Sequence, residues 1–433
     1  MNRIIHCFSV LCCAFLLAFS VACPGEGDNS FTPDQAQSDQ QRITDPAVPA
    51  ADLDTLVDGN NAFGMDLYQE LAAASADNLF FSPLSISQAL AMTYAGARGN
   101  TVTEMADTLH ITLGDAELHP AWNALDLALA SRGQNAQASD GQGFRLNVVN
   151  STWGMIGYPF ETPFLDTLAL HYGAGMYLVD FRADPEGSRD TINTWVEDQT
   201  EGRIEDLIPP DVITEITRLV LVNAIYFNAA WLYPFEEQNT QDGPFHRLDS
   251  VAVTVPLMYQ QETFGYATGD GWQAVELLYD GQDLSMVVVL PDAGRFAEIE
   301  GGLDAATLDT MVAALQPTSV GLTLPRFTYT SSFMLKETLQ TLGMVDAFEF
   351  GPADFSGMDG SRSLYIGAVI HKAFVDVNEA GTEAAAATAV VMDFGTSISP
   401  TPLPVTVDRP FLFLIRDLQT GAVIFTGRVM DPS

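Results

Sequence analysis

Positive charge is scarce in this 433-residue sequence. Lysine occurs only at Lys336 and Lys372, so arginine supplies nearly all of the 18 basic side chains, against 56 acidic ones. The formal net charge of −38 repels nucleic acid and anionic membrane surfaces, and it argues against a polyanionic cofactor. Apolar residues nevertheless make up 47% of the chain, which is enough for a large core.

The common catalytic motifs are missing as well. The sequence contains no Gly-x-Ser-x-Gly nucleophile elbow, no His-Glu-x-x-His zinc motif and no phosphate-binding Gly-x-x-x-x-Gly-Lys loop. Only five histidines follow the first segment, and their spacing does not suit a metal site. We therefore expect a protein that is not an enzyme and that holds neither a metal nor a cofactor.

Cysteine is confined to the start of the chain, at Cys7, Cys12, Cys13 and Cys23. Arg3 and the apolar run 4–21 predict a signal peptide over residues 1–22. Residues 20–23 (SVAC) resemble a bacterial lipobox, in which Cys23 would be lipidated, although that pattern prefers leucine where Ser20 stands. Lipidation and plain secretion both place the protein outside the cytoplasm, either extracellular or lipid-anchored at the cell surface. Neither leaves a cysteine pair in the mature domain.

Composition divides the remaining chain into two parts. Residues 23–50 are poor in aromatics and rich in polar residues and proline, which predicts a disordered tether. From residue 51 onward apolar residues recur at helical spacing, with no later linker or internal repeat, which predicts one large mixed domain over 51–433. A helix is expected from Leu53 to Leu71, and Thr101 and Glu104 form a candidate capping box for another. A short apolar strand is predicted within 78–86, and further strands at 219–227, 286–290, 321–329, 365–377, 411–415 and 423–429.

A long irregular stretch near the C-terminus is the most informative feature. Residues 377–392 (VNEAGTEAAAATAVVM) contain a glycine, small residues and a β-branched pair, and uneven residues continue as far as Asp408. A compact domain rarely carries so long a loop without a use for it. Taken alone, Thr382 and Glu383 followed by four alanines are equally typical of a capped helix.

Motifs in a fixed order along the whole domain identify the sequence as similar to the serpins. They are 78–86 (NLFFSPLSI), 93–101 (TYAGARGNT), 221–231 (LVNAIYFNAAW), 324–327 (LPRF), 354–357 (DFSG), 371–373 (HKA), 409–411 (RPF) and 427–429 (GRV). The resemblance implies the α+β serpin fold, with a large central β-sheet, two smaller sheets, about nine helices and an exposed reactive loop. It also implies a monomer that inhibits serine proteases and forms a covalent complex with its target.

Serpins trap a protease by inserting the cut loop into the central sheet as a new strand, so the resemblance makes the hinge decisive. If Thr382 points inward, Glu383 faces outward, where charge is tolerable. The period of two then also turns inward Ala384, Ala386, Thr388, Val390 and Met392, and none of them is charged or proline. Gly381 would give the pivot backbone freedom. About a dozen new ladder hydrogen bonds at roughly 1 kcal/mol each would supply on the order of 10 kcal/mol. An uncut fold that forgoes this energy is expected to be metastable.

Further roles follow from the resemblance alone. Glu379 is expected to pair with Arg326, and Trp231 to lie where the loop first inserts. The central polar cluster, where the sheet parts, matches Ser82, Ser85, Asn223 and His371.

The scissile bond follows from the usual hinge length, which places the cut between Gly395 and Thr396. Counting back from Pro410 instead favours Thr396 or Ser399 as the residue before the cut. Phe394, which stands one residue before Gly395, is a further candidate. A small residue there suits elastase-like or subtilisin-like proteases, whereas Phe394 would suit chymotrypsin-like ones. The absence of lysine and arginine from 382–407 argues against a trypsin-like target.

Two alternatives remain open beside the inhibitor of serine proteases. A cross-class inhibitor of papain-like cysteine proteases fits the same loop. A non-inhibitory serpin that acts as a surface binding protein would typically carry charge, proline or bulky residues at the inward hinge positions, which this chain lacks. Activation by a heparin-like polyanion is not expected, since residues 119–145 include only Arg132 and Arg145 as bases. The acidity suits solubility in a salty or acidic habitat, or steering of a basic protease.

Overall fold

The structure is a computed structural model that describes residues 33–134, 136, 144–382 and 401–433. The helices of this part are α1 (Ala50–Ala74), α2 (Pro83–Tyr94), α3 (Gly99–Thr108), α4 (Asp115–Ala130), α5 (Thr162–Tyr172), α6 (Pro185–Gln199), α7 (Phe296–Gly301), α8 (Ala305–Ala313), α9 (Lys336–Thr341) and α10 (Ser356–Asp359). The strands are β1 (Gln35–Ala36), β2 (Leu79–Phe81), β3 (Arg145–Met155), β4 (Met176–Val179), β5 (Leu219–Ala230), β6 (Gln241–His246), β7 (Ala252–Gly269), β8 (Trp272–Leu278), β9 (Leu284–Pro291), β10 (Gln316–Pro325), β11 (Phe327–Met334), β12 (Ile366–Val377), β13 (Gly381–Thr382), β14 (Leu403–Thr406), β15 (Phe411–Asp417) and β16 (Val423–Val429).

Two sheets organise the described residues. The central sheet has seven strands in the order β1-β4-β3-β5-β13-β12-β11, and β5 also pairs directly with β12. The second sheet has nine strands in the order β14-β10-β7-β8-β9-β15-β16-β2, with β6 paired to β7. The α+β class is as predicted. The two smaller sheets expected from the resemblance run together, because the 18-residue strand β7 pairs with β6, β10 and β8 along its length.

Strand β5 shows why its sequence is almost continuously apolar. Leu219, Leu221 and Ile225 face the main core. Val220 and Val222 face a smaller core that includes residues of α6. A strand that is buried on both faces needs apolar residues at successive positions rather than an alternating pattern.

The N-terminal segment departs from the sequence prediction. The disordered tether predicted over 23–50 is wrong for residues 33–49, where β1 pairs with β4 at the outer edge of the central sheet. Hydrogen bonds from Arg42 and Ile43 to α4 and α5 fix the segment further along. Composition alone missed these contacts because they join residues that are far apart in sequence.

Two local predictions were also wrong. The helix α3 begins at Gly99 and has no side-chain cap, and the carboxylate of Glu104 accepts hydrogen bonds from the backbone of Val345 and Asp346 instead. The strand predicted over 321–329 is divided between β10 and β11, which belong to different sheets and meet at Arg326.

Candidate functional site: a hinge strand at a gap in the central sheet

A gap opens between the two middle strands of the central sheet. Strands β5 and β12 run parallel, and their direct pairing extends from Leu219 opposite Ile366 to Ile225 opposite Ala373. Beyond that rung the short strand β13 lies between them and is antiparallel to both. The mouth of the gap therefore already holds the first residues of the hinge.

A tight turn brings the chain from β12 back into this gap. The backbone N–H of Asn378 donates to the carbonyl of Gly381 at 3.0 Å, and the N–H of Ala380 donates to the side-chain oxygen of Asn378 at 3.1 Å. The carbonyl of Ala380 accepts from the backbone of Trp231 at 2.9 Å, and that of Glu379 accepts from Phe235 at 2.8 Å. The segment that follows β5 thus fixes the turn.

Gly381 is required for space rather than for an unusual backbone angle. A Cβ atom at this position would lie 2.1 Å from the carbonyl oxygen of Ala229 and 2.8 Å from the Cα of Ala230. Any side chain would push β13 away from β5.

Thr382 is buried, with 2% of its surface exposed. Its hydroxyl lies 2.7 Å from the hydroxyl of Tyr279, whose ring stacks on Trp231 at a centroid distance of 4.6 Å. The indole N–H of Trp231 donates to the carbonyl of Asn378 at 2.9 Å. Trp231 thus contacts the hinge turn at the mouth of the gap, which is where the resemblance placed first insertion. Sequence reasoning missed Tyr279, since no motif marks it.

Glu379 and Arg326 form the ion pair expected from the resemblance. The Nε of Arg326 donates to the Glu379 carboxylate at 2.7 Å, and the Thr240 hydroxyl donates to the same oxygen. The Glu379 side chain is 8% exposed, whereas that of Arg326 is 41% exposed. Arg326 reaches this position because it stands at the junction of β10 and β11.

The four residues of the predicted polar cluster are in contact and fully buried. The N–H of Ser82 donates to Nε2 of His371 at 3.1 Å, and the N–H of Ser85 donates to the hydroxyl of Ser82 at 3.1 Å. The amide nitrogen of Asn223 donates to the Ser85 hydroxyl. Ser82 and Ser85 lie at the start of α2, whereas Asn223 and His371 lie on β5 and β12.

The protonation state of His371 follows from its partners. Because Nε2 accepts a hydrogen bond from Ser82, the ring proton is on Nδ1, which donates to the amide oxygen of Asn223. Burial lowers the pKa of His371 to about 3, although the hydrogen bond with Asn223 opposes that change. The imidazole is therefore neutral at physiological pH.

The cluster extends further than the sequence indicated. Asn150, on β3, accepts from Asn223 and from the Ser85 hydroxyl, and it donates to the side-chain oxygen of Gln88 at 2.8 Å. Asn150 lies opposite Asn223 in the register of β3 and β5, so the polar chain crosses three strands. A polar residue inside a predicted strand would have marked Asn150 as a member of the cluster, but the sequence analysis did not predict β3.

Several predicted site residues lie outside the described residues. They are the hinge residues Ala384, Ala386 and Thr388, the reactive-bond candidates Phe394, Gly395, Thr396 and Ser399, and the lipidation candidate Cys23.

Comparison with known proteins accounts for this geometry. A family model described as serpin (serine protease inhibitor) matches residues 58–432. The chain belongs to the serpin family. It is 36% identical to an uncharacterized serpin-like protein of Thermococcus kodakarensis over 433 residues, which cover 98% of this chain and 99% of that protein. It is 37% identical to the human leukocyte elastase inhibitor over 390 residues, which cover 88% of this chain and 100% of the inhibitor.

Solved structures agree with the family assignment. Uncleaved ovalbumin matches this serpin with a TM-score of 0.77 at 26% identity, and the match covers 87% of this chain and 100% of ovalbumin. The fold of the described residues is therefore the serpin fold.

Proposed function

We propose that this serpin is a suicide-substrate inhibitor of serine proteases, which traps the acyl-enzyme by inserting its cut loop between β5 and β12. The observation that carries the proposal is β13, in which Gly381 and Thr382 already pair with β5 at the mouth of the gap. A strand that has begun to form there needs only to lengthen.

The register of β13 limits how far a new strand can extend. Thr382 lies opposite Ala229, and an antiparallel strand that continued along β5 would place Met392 opposite Leu219, at the start of β5. Such a strand would bring in only neutral residues at the inward positions. A cut between Gly395 and Thr396 would leave the acyl residue three positions beyond the end of this ladder.

The energetic balance favours insertion after cleavage. A new strand must break the direct parallel pairing of β5 and β12, which spans seven register pairs, and it then forms one antiparallel ladder on each side. Antiparallel pairing is also slightly more stable per residue. The net gain is about one ladder of hydrogen bonds, or on the order of 10 kcal/mol.

The chemistry of trapping needs no catalytic group on the serpin. The serine oxygen of the protease attacks the carbonyl carbon of the residue before the cut, and the peptide C–N bond breaks as the new amino terminus takes up a proton. The product is an ester between protease and serpin. Insertion of the hinge before water hydrolyses that ester would move and distort the protease.

An elastase-like or subtilisin-like protease is the proposed target. Gly395 and Thr396 suit proteases that accept a small residue before the cut, and the absence of lysine and arginine from 382–407 disfavours trypsin-like enzymes. The similarity to a leukocyte elastase inhibitor supports the same class.

We also propose an extracellular or cell-surface monomer, with membrane contact only through a lipid on Cys23. The signal-like segment 1–22 and residues 20–23 support this location. Within residues 33–134, 136, 144–382 and 401–433, no helix is both long and apolar enough to cross a bilayer.

A denaturing gel tests the proposed trapping. The chain from residue 24 would be incubated with elastase, subtilisin, chymotrypsin, trypsin and papain, and the released peptide sequenced by mass spectrometry. The proposal predicts a covalent band that survives boiling with elastase or subtilisin, and a released peptide that begins at Thr396. Loop cleavage without any such band by all five proteases would contradict it.

A further inference from the structure

Residues 33–49, here called the N-terminal segment, precede the part of the chain that the serpin family model matches, which begins at residue 58. The segment contacts three elements of the fold. At its start, the N–H of Leu178 on β4 donates to the carbonyl of Asp34 at 2.7 Å, and Gln35 and Ala36 lie opposite Tyr177 and Met176. The segment therefore supplies the outermost strand of the central sheet.

Further along, the segment joins α5 to α4. The N–H of Ile43 donates to the carbonyl of Leu170 on α5 at 3.0 Å, and the carbonyl of Ile43 accepts from the side chain of Asn123 on α4 at 2.7 Å. Arg42 donates through Nε to Asn123 at 2.8 Å and pairs with Asp126 at 2.5 Å. The backbone of Ile43 thus bridges α5 and α4, and the guanidinium of Arg42 fixes the segment to α4.

The position of these contacts matters for opening of the sheet. Strand β4 lies on the β3–β5 side of the gap, whereas β11 and β12 lie on the other side and pack against β2 of the second sheet. The N-terminal segment leaves β4 and α5 and continues into α1, which packs against α4 and β16. Since β16 pairs with β2, the segment links structures on the two sides of the gap.

We propose that the N-terminal segment is an intramolecular clamp that slows parting of β5 from β12 and so keeps the uncut serpin in its active, loop-exposed form. The proposal rests on the proposed function in one respect, namely that the loop enters this gap. Loss of the clamp would let the uncut loop insert by itself, which yields a more heat-stable but inactive protein.

Point substitutions in the whole protein test the clamp. Proline at position 36 in Ala36→Pro removes a backbone donor from β1, and Arg42→Ala removes the bonds to Asn123 and Asp126. Each single variant and the combined variant would be incubated at elevated temperature with the loop uncut. The appearance of the heat-stable form would be followed by thermal melting and by native gel electrophoresis. We expect conversion about tenfold faster than wild type in the combined variant, and a smaller increase in each single variant.

The matched control is Arg182→Ala, which removes an equal charge from an exposed position. It should convert at the wild-type rate. The clamp is overturned if all three clamp variants also convert at that rate, or if the control accelerates as much as they do. The two proposals can fail separately. If the wild-type protein traps no protease but the clamp variants still convert faster, the proposed function is contradicted and the clamp is supported.

Discussion

Asn223 and His371 face each other on one rung of the parallel ladder between β5 and β12, and the Nδ1–H of His371 donates to the amide oxygen of Asn223. A strand that entered the gap to its full length would have to pass between these two side chains. We propose that this hydrogen bond is a latch that holds the closed sheet together. The bond on the other side of the ring needs a neutral imidazole, because Nε2 can accept from the backbone of Ser82 only while it carries no proton.

The latch predicts a loss of stability in acid. The folded pKa of His371 is about 3, below its usual value near 6.5, so its contribution is complete above pH 6.5 and declines as the pH falls towards 3. Between pH 7 and pH 5 the loss due to His371 alone should be about 2 kcal/mol, and His119, whose pKa burial lowers to about 4, should add to it. Melting curves at several pH values would measure it. His371→Gln should flatten the decline, and the variant His246→Gln, at an exposed position, should not. Equal pH dependence in wild type and His371→Gln would contradict the latch.

Charge at the mouth of the gap should convert the proposed inhibitor into a substrate. Thr382 is already buried against Tyr279 in the uncut protein, so Thr382→Arg would displace β13 from the gap. Insertion would then have to bury an unpaired charge, at a cost of several kcal/mol. Insertion would then be slower than hydrolysis of the ester. The gel should show cut serpin and free protease in place of the covalent band.

Ala386→Pro should have the same effect through the backbone, because proline cannot donate to the ladder. Glu383→Arg is the control, since position 383 is expected to face outward and to tolerate charge. Wild-type stoichiometry of trapping in Thr382→Arg or Ala386→Pro would show that the hinge is wrongly assigned.

The two partners of the hinge ion pair should respond unequally to substitution. Arg326→Met leaves the Glu379 carboxylate buried with Thr240 as its remaining side-chain partner, and it should lower the free energy of unfolding of the uncut protein by about 2 kcal/mol. Glu379→Gln keeps an acceptor for both donors and should cost less. Chemical denaturation of the two variants would measure this difference. Identical curves for wild type and both variants would indicate a solvated surface pair.

Heparin should not accelerate inhibition. Helix α4 has no lysine or arginine in its sequence, and the chain carries a net charge of −38. A polyanion would therefore be repelled. Progress curves with and without heparin would test this, and an association rate that rises with heparin concentration would refute it.

The sequence predicted elements where burial is uniform or motifs are local. The run 219–227 belongs to β5, because a strand buried on both faces has a continuous apolar pattern. The run 423–429 contains the local motif GRV and is β16. The sequence failed to predict β3, where polar residues such as Asn150 and Ser151 interrupt the pattern. The hydrogen bonds of Asn150 are made to residues on other elements, which local sequence does not reveal.

The candidate site shows the same division. The resemblance predicted roles for Glu379, Asn223 and His371, and in the structure each of these residues contacts its expected partner. Tyr279 and the segment 33–49 could not be found this way. Tyr279 contacts the Thr382 hydroxyl, and the segment 33–49 pairs with β4. Such tertiary contacts leave no periodic pattern in the sequence.

Thermal melting before and after cleavage of the loop tests the central claim most directly. A non-target protease would be used to cut the loop, the protease would be removed, and the melting temperatures of the cut and uncut proteins would be compared. If the cut loop becomes a strand between β5 and β12, the cut protein should melt at a much higher temperature. A cut protein that melts at or below the temperature of the uncut protein would contradict loop insertion.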